Sequence, residues 1–433
     1  MYGEKFIPAP IYAWSLDKTI PALYNCICSN CITIHEIWIV MVRYSIDDVT
    51  DDMVLGKSIF LPTGELLLAS GYHLTERFRT RLKQLGFSYV FIQVEGTEDI
   101  IPETIITEHV QREVSLSLDK GTQELQRSFS VRQEGVRNIR KIVRQNKQYL
   151  NKFLNNAGFI GAIEKMIDEI LNQPSVVLNM QALQKAGGDL FSHAINVVVT
   201  SLAIGRKYRF SYDEMKQLAM GAINFDLGLI ALPKEIREKN GNFKTEEEKE
   251  IYMQHTVYGY LMLSQNPSIA PTSAAVALQH HEYQDGTGFP RNLRGENLAP
   301  LKDFSRKNLI HRFSEIVAVA DTYDMLLTGR MGPQYDVRGA IRKIIEMGGE
   351  KLNREIVKCL TSIVPVYPVG ARVRIEQAPT PQLVGYYGVI AKVNPENLET
   401  PQIILYETKK HQKIKPILID LADHTGFHLE VIT

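Results

Sequence analysis

The sequence predicts a mainly α-helical protein: an all-helical domain, with a small N-terminal α/β module before it and a small C-terminal β-rich domain after it. Apolar residues keep helical spacing through most of residues 103–363, whereas short β-type runs occur in residues 41–102 and 364–433. A chain of 433 residues also exceeds one ordinary core, so we expect two or three domains.

The composition is that of a globular protein and disfavours several kinds of partner. Apolar residues make up 44% of the chain and charged residues 23%, without a disorder signature. The 49 basic and 49 acidic residues balance, so no global field attracts a nucleic-acid polymer or an acidic membrane. No apolar run approaches the length of a membrane span, and residues 1–10 lack the order of a secretory signal. We therefore expect a cytoplasmic protein.

We interpret residues 1–40 as a leader unrelated to the fold. Cys26, Cys28 and Cys31 lie near His35, but one C-x-C-x-x-C run with a single histidine is a poor match to a zinc finger. Clean strand and helix patterning starts near Met41, which we expect to be the true initiator.

Residues 41–102 predict a small α/β module. Its expected elements are a hairpin with its turn at 62–64, a helix at 75–85 ending before Gly86, and a buried strand at 89–94.

Residues 103–180 are interpreted as a charged helical connector. Basic residues recur along 137–144, but acids and glutamines lie among the charged residues of this segment, so we interpret them as a solvated helix face rather than a nucleic-acid patch. The sequence leaves open whether this connector pairs with a second copy of the chain or with a signalling protein.

Residues 181–363 show the longest helical patterning. Capping boxes at 211–214 and 245–248 begin two helices, and a third is expected to begin at Ser314. Three short β-type runs in 364–433 predict a β-rich domain at the end of the chain.

The segment 280–290, HHEYQDGTGFP, carries the strongest chemical signal. His280 and His281 offer imidazole ligands, and the glycines that follow let the backbone approach a bound group. Other candidate ligands on apolar helical segments are His193, Asp226, His255 and Asp321. Six such residues in one domain are costly to bury without a metal. Imidazole and carboxylate without thiolate favour iron or manganese, or a catalytic zinc, as one or two divalent transition-metal ions.

Residues 189–361 resemble an HD-GYP domain, the bacterial subgroup of HD-superfamily metal phosphohydrolases that hydrolyse cyclic di-GMP. The resemblance rests on His-Glu-x-x-Asp-Gly-x-Gly-Phe-Pro at 281–290 and Val-Ala-Asp-Thr-Tyr-Asp at 319–324. The run 191–197 is similar to the family's first ligand helix, and the surroundings of His255 to the middle one. The family implies an HD-type metal-dependent phosphohydrolase domain of cyclic di-GMP signalling.

The resemblance also implies individual roles. The metal ligands it implies are His193 and Asp321 for a first ion, His255, His280 and His281 for a second, and Asp226 as a bridge. Asp189 matches a carboxylate that binds a third ion in some relatives. Catalysis would depend on Asp226, His280 and His281, with two ions activating water and neutralising charge on the phosphodiester. The cyclic dinucleotide would contact Asp285, Gly286, Gly288, Phe289, Pro290 and Arg330.

This sequence departs from the family's pattern at four positions. Phe225 replaces the histidine of the paired His-Asp, so the first metal loses a ligand. Leu229 and Pro333 replace expected basic residues, which weakens phosphate binding. Phe289 replaces the tyrosine of Gly-Tyr-Pro and loses only a hydroxyl. We expect at least one bound metal, a labile second site, and reduced or absent hydrolysis.

Two functions stay open. The retained ligands favour a working cyclic di-GMP phosphodiesterase in which water or Asn224 compensates for Phe225. The joint changes at Phe225, Leu229 and Pro333 favour a non-catalytic module that binds the nucleotide or a partner. The loop at 285–290 disfavours hydrolysis of another phosphoester.

Overall fold

The computed structural model describes most of the chain from Val40 to Ile432. The described residues are 40–60, 66–85, 87, 89–94, 105–129, 136–173, 176–178, 190–237, 239, 241–302, 309–330 and 332–432. The expectations for the leader, the turn at 62–64, Gly86 and Asp189 lie outside these residues. Among the described helices, none is long and apolar enough to cross a bilayer.

The N-terminal module has the predicted α/β character. Its elements are β1 (Val40–Ser45), β2 (Ile59–Phe60), β3 (Leu66–Leu68), α1 (Glu76–Gln84) and β4 (Tyr89–Val94). Strand β1 pairs antiparallel with β4, opposing Val42 to Ile92, and β2 with β3 forms the predicted hairpin. Both Val42 and Ile92 are buried, because directly opposed residues point to the same face of a strand pair.

The connector is helical, as predicted. Among the described residues its helices are α2 (Glu108–Ser128), α3 (Val136–Gln145), α4 (Lys147–Leu154) and α5 (Ala157–Asn172). Asn156 caps α5, because its side-chain oxygen accepts a hydrogen bond from the Phe159 backbone nitrogen at 2.9 Å. The apolar stripe of α5, including Ile163 and Met166, is buried, and the helix packs against α2.

The central domain is all-helical. Its elements are α6 (Leu190–Lys207), α7 (Tyr212–Ile223), a 3₁₀ segment (Leu227–Ala231), α8 (Lys234–Arg237), α9 (Glu246–Leu263), α10 (Pro271–Gln279), α11 (Arg312–Thr328), α12 (Val337–Met347) and α13 (Arg354–Thr361). The capping box of Ser211 and Glu214 is confirmed. The expected helix start at Ser314 is wrong: α11 begins two residues earlier, because the His311 ring accepts a hydrogen bond from the Phe313 nitrogen.

An ion pair between Glu214 and Arg312 joins the start of α7 to the start of α11. Arg312 donates to the carboxylate that completes the Ser211 cap, and its guanidinium lies 4.8 Å from the ring centroids of Phe210 and Phe313. Burial alone raises the pKa of Glu214, but hydrogen bonds from Arg312 and Ser211 outweigh it and lower the pKa from 4.5 to about 2.

The depressed pKa of Glu214 predicts an acid-sensitive contribution to stability. That contribution is present above the unfolded-state pKa of 4.5 and is lost as the pH falls through the folded pKa of about 2. We expect Glu214→Gln to lower the free energy of unfolding by about 2 kcal/mol near neutral pH, a difference that vanishes at the acid end. Urea unfolding of both proteins across this range measures it.

Glu346→Gln is the control for that prediction. It removes an exposed pair with Lys343 on α12 and should change the free energy of unfolding little at any pH. A pH-independent difference between the wild type and Glu214→Gln would contradict an ionic origin of the effect.

The C-terminal domain is one antiparallel sheet with the strand order β8-β7-β6-β5-β9. Its strands are β5 (Arg372–Gln377), β6 (Tyr387–Lys392), β7 (Gln402–Glu407), β8 (Lys413–Asp420) and β9 (His428–Ile432). The sequence predicted β5, β6 and β7 and missed the other two.

The N-terminal module and the C-terminal sheet share a hydrophobic core. Val42 and Leu55 of the module belong to the same buried cluster as Val389 and Ile404 of the sheet. The Arg43 backbone nitrogen also donates to the Gly370 carbonyl at 3.0 Å. The connector and the central domain likewise share one core. The division at residues 102, 180 and 363 remains a prediction, since packing joins segments across it.

Candidate metal centre

The candidate ligands reach the centre of the helical domain from separate elements. His193 lies on α6, His255 on α9, His280 at the end of α10, and Asp321 on α11, while Asp226 directly precedes the 3₁₀ segment. The three histidines and Asp321 are each less than 7% exposed. Polar groups at this depth require partners.

Two glycines let the 3₁₀ segment lie directly on α9, which brings Asp226 beside His255. A Cβ atom on Gly228 would lie 1.9 Å from the carbonyl oxygen of His255, a distance that no other residue could relieve without moving the backbone. Gly259 faces it from α9, and a Cβ there would lie 3.3 Å from the Gly228 nitrogen.

We expect Gly228→Ala to lower the free energy of unfolding by about 2 kcal/mol, because backbone atoms of α9 must move. Chemical denaturation measures the change. Gly161→Ala in α5 is the control: a Cβ there meets nothing within 4 Å, so alanine should be neutral or stabilising. Equal losses in both variants would contradict the close-approach argument.

His255 and His280 direct their Nε2 atoms at one point. Their Nδ1 atoms lie 2.6 Å from the Tyr252 carbonyl oxygen and 3.1 Å from the Val276 carbonyl oxygen, contacts in which Nδ1–H must donate. In the neutral rings the Nε2 atoms therefore carry lone pairs, and these atoms lie 3.3 Å apart. Two lone pairs at this distance repel each other, and a cation bound by both relieves the repulsion.

Asp226 adds a carboxylate oxygen to the same point. Its Oδ1 lies 3.4 Å from His255 Nε2 and 3.6 Å from His280 Nε2, and it has no hydrogen-bond partner among the described residues. His281 completes the group, since one ring nitrogen from each of the three histidines lies within 4.8 Å of the others. Three imidazoles and one carboxylate fit a single divalent transition-metal ion.

Burial sets the protonation states that metal binding requires. It lowers the pKa of His255 to about 4 and, with the neighbouring histidines, holds the pKa of His281 well below its ordinary value. Burial opposes ionisation of Asp226, but the adjacent histidines, His280 foremost, lower the pKa of this carboxyl overall. Neutral imidazole and ionised carboxylate are the forms that bind metals.

His193 and Asp321, the expected ligands of a first metal, contact each other instead. His193 Nε2 lies 2.9 Å from Asp321 Oδ1, and its Nδ1 lies 2.7 Å from Asp324 Oδ2. Burial alone lowers the pKa of His193, but the two carboxylates raise it to about 9, so the ring is protonated near neutral pH. Both nitrogens then donate and neither has a free lone pair. In this arrangement a second metal ion has no preformed site among the described residues.

Phe225 contacts both groups of residues. Its ring centroid lies 5.7 Å from that of His193 and 5.0 Å from that of His280, edge-on in each case, and the side chain is 1% exposed. A phenyl ring offers no lone pair to a metal. Phe225 therefore sits beside both clusters as an apolar contact where the family pattern has a ligand.

The loop after His281 is held by its own hydrogen bonds and by ring stacking. The Asp285 carboxylate accepts from the backbone nitrogen and hydroxyl of Thr287, at 2.9 and 2.7 Å. Phe289 stacks on His281 with ring centroids 4.7 Å apart, and a Cβ on Gly288 would lie 2.4 Å from the His281 carbonyl oxygen. Of the six residues expected to contact substrate, all except Arg330 lie in this loop, namely Asp285, Gly286, Gly288, Phe289 and Pro290.

Comparison with known proteins identifies the domain in which these residues lie. A family model described as "HD domain" matches residues 165–356, a range that contains both clusters and the loop. Within that range, residues 281–290 read His-Glu-x-x-Asp-Gly-x-Gly-Phe-Pro. The chain carries an HD-GYP domain.

The relatives of this HD-GYP protein include several curated enzymes. A cyclic di-GMP phosphodiesterase of Pseudomonas aeruginosa is 25% identical over 215 residues, 49% of this chain and 49% of that protein. The response regulator RpfG of Xanthomonas campestris, also a cyclic di-GMP phosphodiesterase, is 36% identical over 32% of each chain. A cyclic di-GMP phosphodiesterase of Thermotoga maritima is 31% identical over 45% of this chain and 48% of that protein. The chain thus spans less than half the length of each relative. A solved HDG"Y"P protein from Bdellovibrio bacteriovorus covers 76% of this chain and 99% of its own, with 15% identity and a TM-score of 0.38.

Arg330 of the HD-GYP domain, the residue expected to contact phosphate, retains unused hydrogen-bonding capacity. Its Nη1 is buried without a hydrogen-bond partner among the described residues. An oxyanion bound nearby would satisfy this group.

Two residues that shape the HD-GYP site were not singled out from the sequence. Asp324 accepts hydrogen bonds from His193 and, at 2.7 Å, from Asn196. Glu282 accepts from the backbone nitrogens of Arg291 and Leu293, at 2.7 and 2.8 Å, and so closes the loop. The spacing of three between Asp321 and Asp324, which places both on one helix face, was an available signal for the first.

Proposed function

We propose that this chain is a metal-dependent phosphodiesterase of bacterial cyclic di-GMP signalling whose hydrolytic activity is reduced by Phe225. The observation that carries the proposal is the convergence of His255 Nε2, His280 Nε2 and Asp226 Oδ1 on one point, within 3.6 Å of one another. The curated relatives named above supply the substrate class. A cytoplasmic location accords with that substrate, an intracellular signalling nucleotide.

The residues that would hold the metal are Asp226, His255, His280 and His281. A bound divalent ion supplies Lewis-acid stabilisation of charge on the phosphodiester and lowers the pKa of water. The loop at 285–290 would shape the nucleotide pocket beside these ligands, and Arg330 would bind a phosphate oxygen through its unpaired Nη1.

The reduction in rate follows from the other half of the site. His193 is hydrogen-bonded to Asp321 and Asp324, and Phe225 supplies no ligand. A second ion therefore lacks a preformed site. Leu229 and Pro333 also remove positive charge that would bind phosphate. The chain would therefore hold one ion, at Asp226, His255, His280 and His281, where a pair of ions would supply more charge stabilisation.

The paired state of His193 favours a second candidate function, a non-catalytic HD-GYP module that binds the nucleotide or a protein partner. Such a module would keep one metal for structure and would signal through its conformation.

One assay separates the two functions. Anaerobically purified protein is analysed for bound metal, then incubated with cyclic di-GMP and manganese or ferrous iron, and the products are separated by chromatography. We expect about one ion per chain and slow formation of linear dinucleotide or GMP. Binding of cyclic di-GMP without any product would favour the non-catalytic module. Protein free of iron, manganese and zinc would contradict both.

A further inference from the structure

A cavity separate from the metal centre lies where the N-terminal module, the HD-GYP domain and the C-terminal sheet meet. Its volume is about 570 Å³, and it is lined from β1 and β4, from residues 334–338 before and within α12, and from β5 and β9. None of the described residues that line it is a ligand of the metal centre. Cavities of this size hold small organic ligands.

The cavity is positively charged. Its described lining contains three arginines and one carboxylate, namely Arg43, Arg338, Arg372 and Asp336. Asp336 is already engaged as the N-cap of α12, where its Oδ1 accepts a hydrogen bond from the Gly339 nitrogen at 2.8 Å. A net formal charge of +2 in a concave, partly desolvated space attracts anions.

Two of these arginines are held by aromatic rings and not by carboxylates. The Arg43 guanidinium lies 3.9 Å from the ring centroid of Tyr89, and that of Arg372 lies 4.2 Å from the ring centroid of Tyr44. Neither forms an ion pair with a described residue, and Arg372 Nε is buried without a hydrogen-bond partner there. A guanidinium stacked on a ring keeps its edge available for bidentate binding of an oxyanion.

The remaining lining is largely apolar, with Leu327, Val366, Pro368 and Ile432 among its residues. Such a wall contributes nothing to a bare phosphate but buries an uncharged ring attached to one. We propose that this cavity binds a nucleotide-sized phosphorylated molecule, with its phosphates on Arg43, Arg338 and Arg372.

The position of the cavity gives such a ligand a structural effect. Arg338 of α12 donates to the Tyr367 hydroxyl at 2.8 Å, and that hydroxyl lies 3.4 Å from the Leu429 carbonyl oxygen of β9. A ligand that contacts Arg43, Arg338 and Arg372 touches all three parts of the chain at once. Because it binds only the assembled state, it should raise the melting temperature of the full chain.

Isothermal titration calorimetry of the full chain with GDP and with inorganic pyrophosphate tests the site. EDTA is present, so that the metal centre does not contribute. We expect both probes to bind, GDP more tightly, and Arg338→Gln to weaken GDP binding by at least about tenfold. Arg338 is exposed, so its replacement and the loss of its hydrogen bond to Tyr367 should lower the melting temperature of the free protein only slightly.

Arg374→Gln is the matched control. Arg374 lies on the same face of β5 as Arg372, but it pairs with Glu430 and is outside the described lining of the cavity. It should bind GDP as the wild type does. Failure of both probes to bind would overturn the proposal, as would equal affinities of the wild type and Arg338→Gln. Neither result depends on metal loading or hydrolysis, so the proposed phosphodiesterase function stands or falls separately.

Discussion

Asp226→Asn should abolish metal binding without unfolding the HD-GYP domain. The carboxylate oxygen lies 3.4 and 3.6 Å from the Nε2 atoms of His255 and His280 and has no hydrogen-bond partner among the described residues. An asparagine amide can turn its NH₂ group toward those lone pairs and donate to them, so the site no longer requires a cation. We expect metal affinity to fall by at least about 100-fold. Metal analysis and competition with a chelator measure the loss.

His193→Gln provides the comparison at the other half of the site. The glutamine amide can still donate to Asp321 or Asp324, and none of the four proposed ligands changes. We therefore expect it to retain the metal content of the wild type, with thermal unfolding as the check on folding. Equal metal loss in both variants would mean that His193 belongs to the same ion site. An Asp226→Asn protein that keeps its metal would refute the ligand assignment.

Much of this centre could be predicted because its ligands lie in short motifs. His280 and His281 stand next to the glycine loop, and His255 lies on a helix whose start is marked by Thr245. Local patterns of this kind can be recognised in a single sequence. The direct pairing of His193 with Asp321 could not be predicted in this way. It depends on how α6 and α11 pack across the core, for which the chain has no local signal.

The missed strands have physical reasons of a different kind. Strand β8 contains Pro416 and two lysines, residues that disfavour a central strand. They are tolerated because β8 lies at the sheet edge and pairs only with β7. The core shared by Val42 and Ile404 joins residues more than three hundred positions apart. No periodicity within either segment reports which surface the other will cover.

Phe225→His should give the HD-GYP domain a second metal site and a faster hydrolysis of cyclic di-GMP. The phenyl ring contacts both His193 and His280, so an imidazole of similar size would place a nitrogen beside both clusters. We expect the metal content to rise from about one ion per chain toward about two, and the rate by at least about 100-fold, because a Lewis acid at the phosphodiester contributes several kcal/mol. Metal analysis and product chromatography on the same preparation measure both.

Phe225→Leu tests whether an effect of Phe225→His comes from the added imidazole ligand or from the space left by the phenyl ring. Leucine removes the ring from the same buried position and offers no lone pair, so it should raise neither the metal content nor the rate. A rate increase shared by both variants would show that the ring obstructs substrate. If Phe225→His folds and changes neither quantity, the missing ligand is not what limits the site. The hydrogen bonds of His193 to Asp321 and Asp324 would then be the barrier, because a second ion must displace the Nε2 proton that this buried ring donates to Asp321.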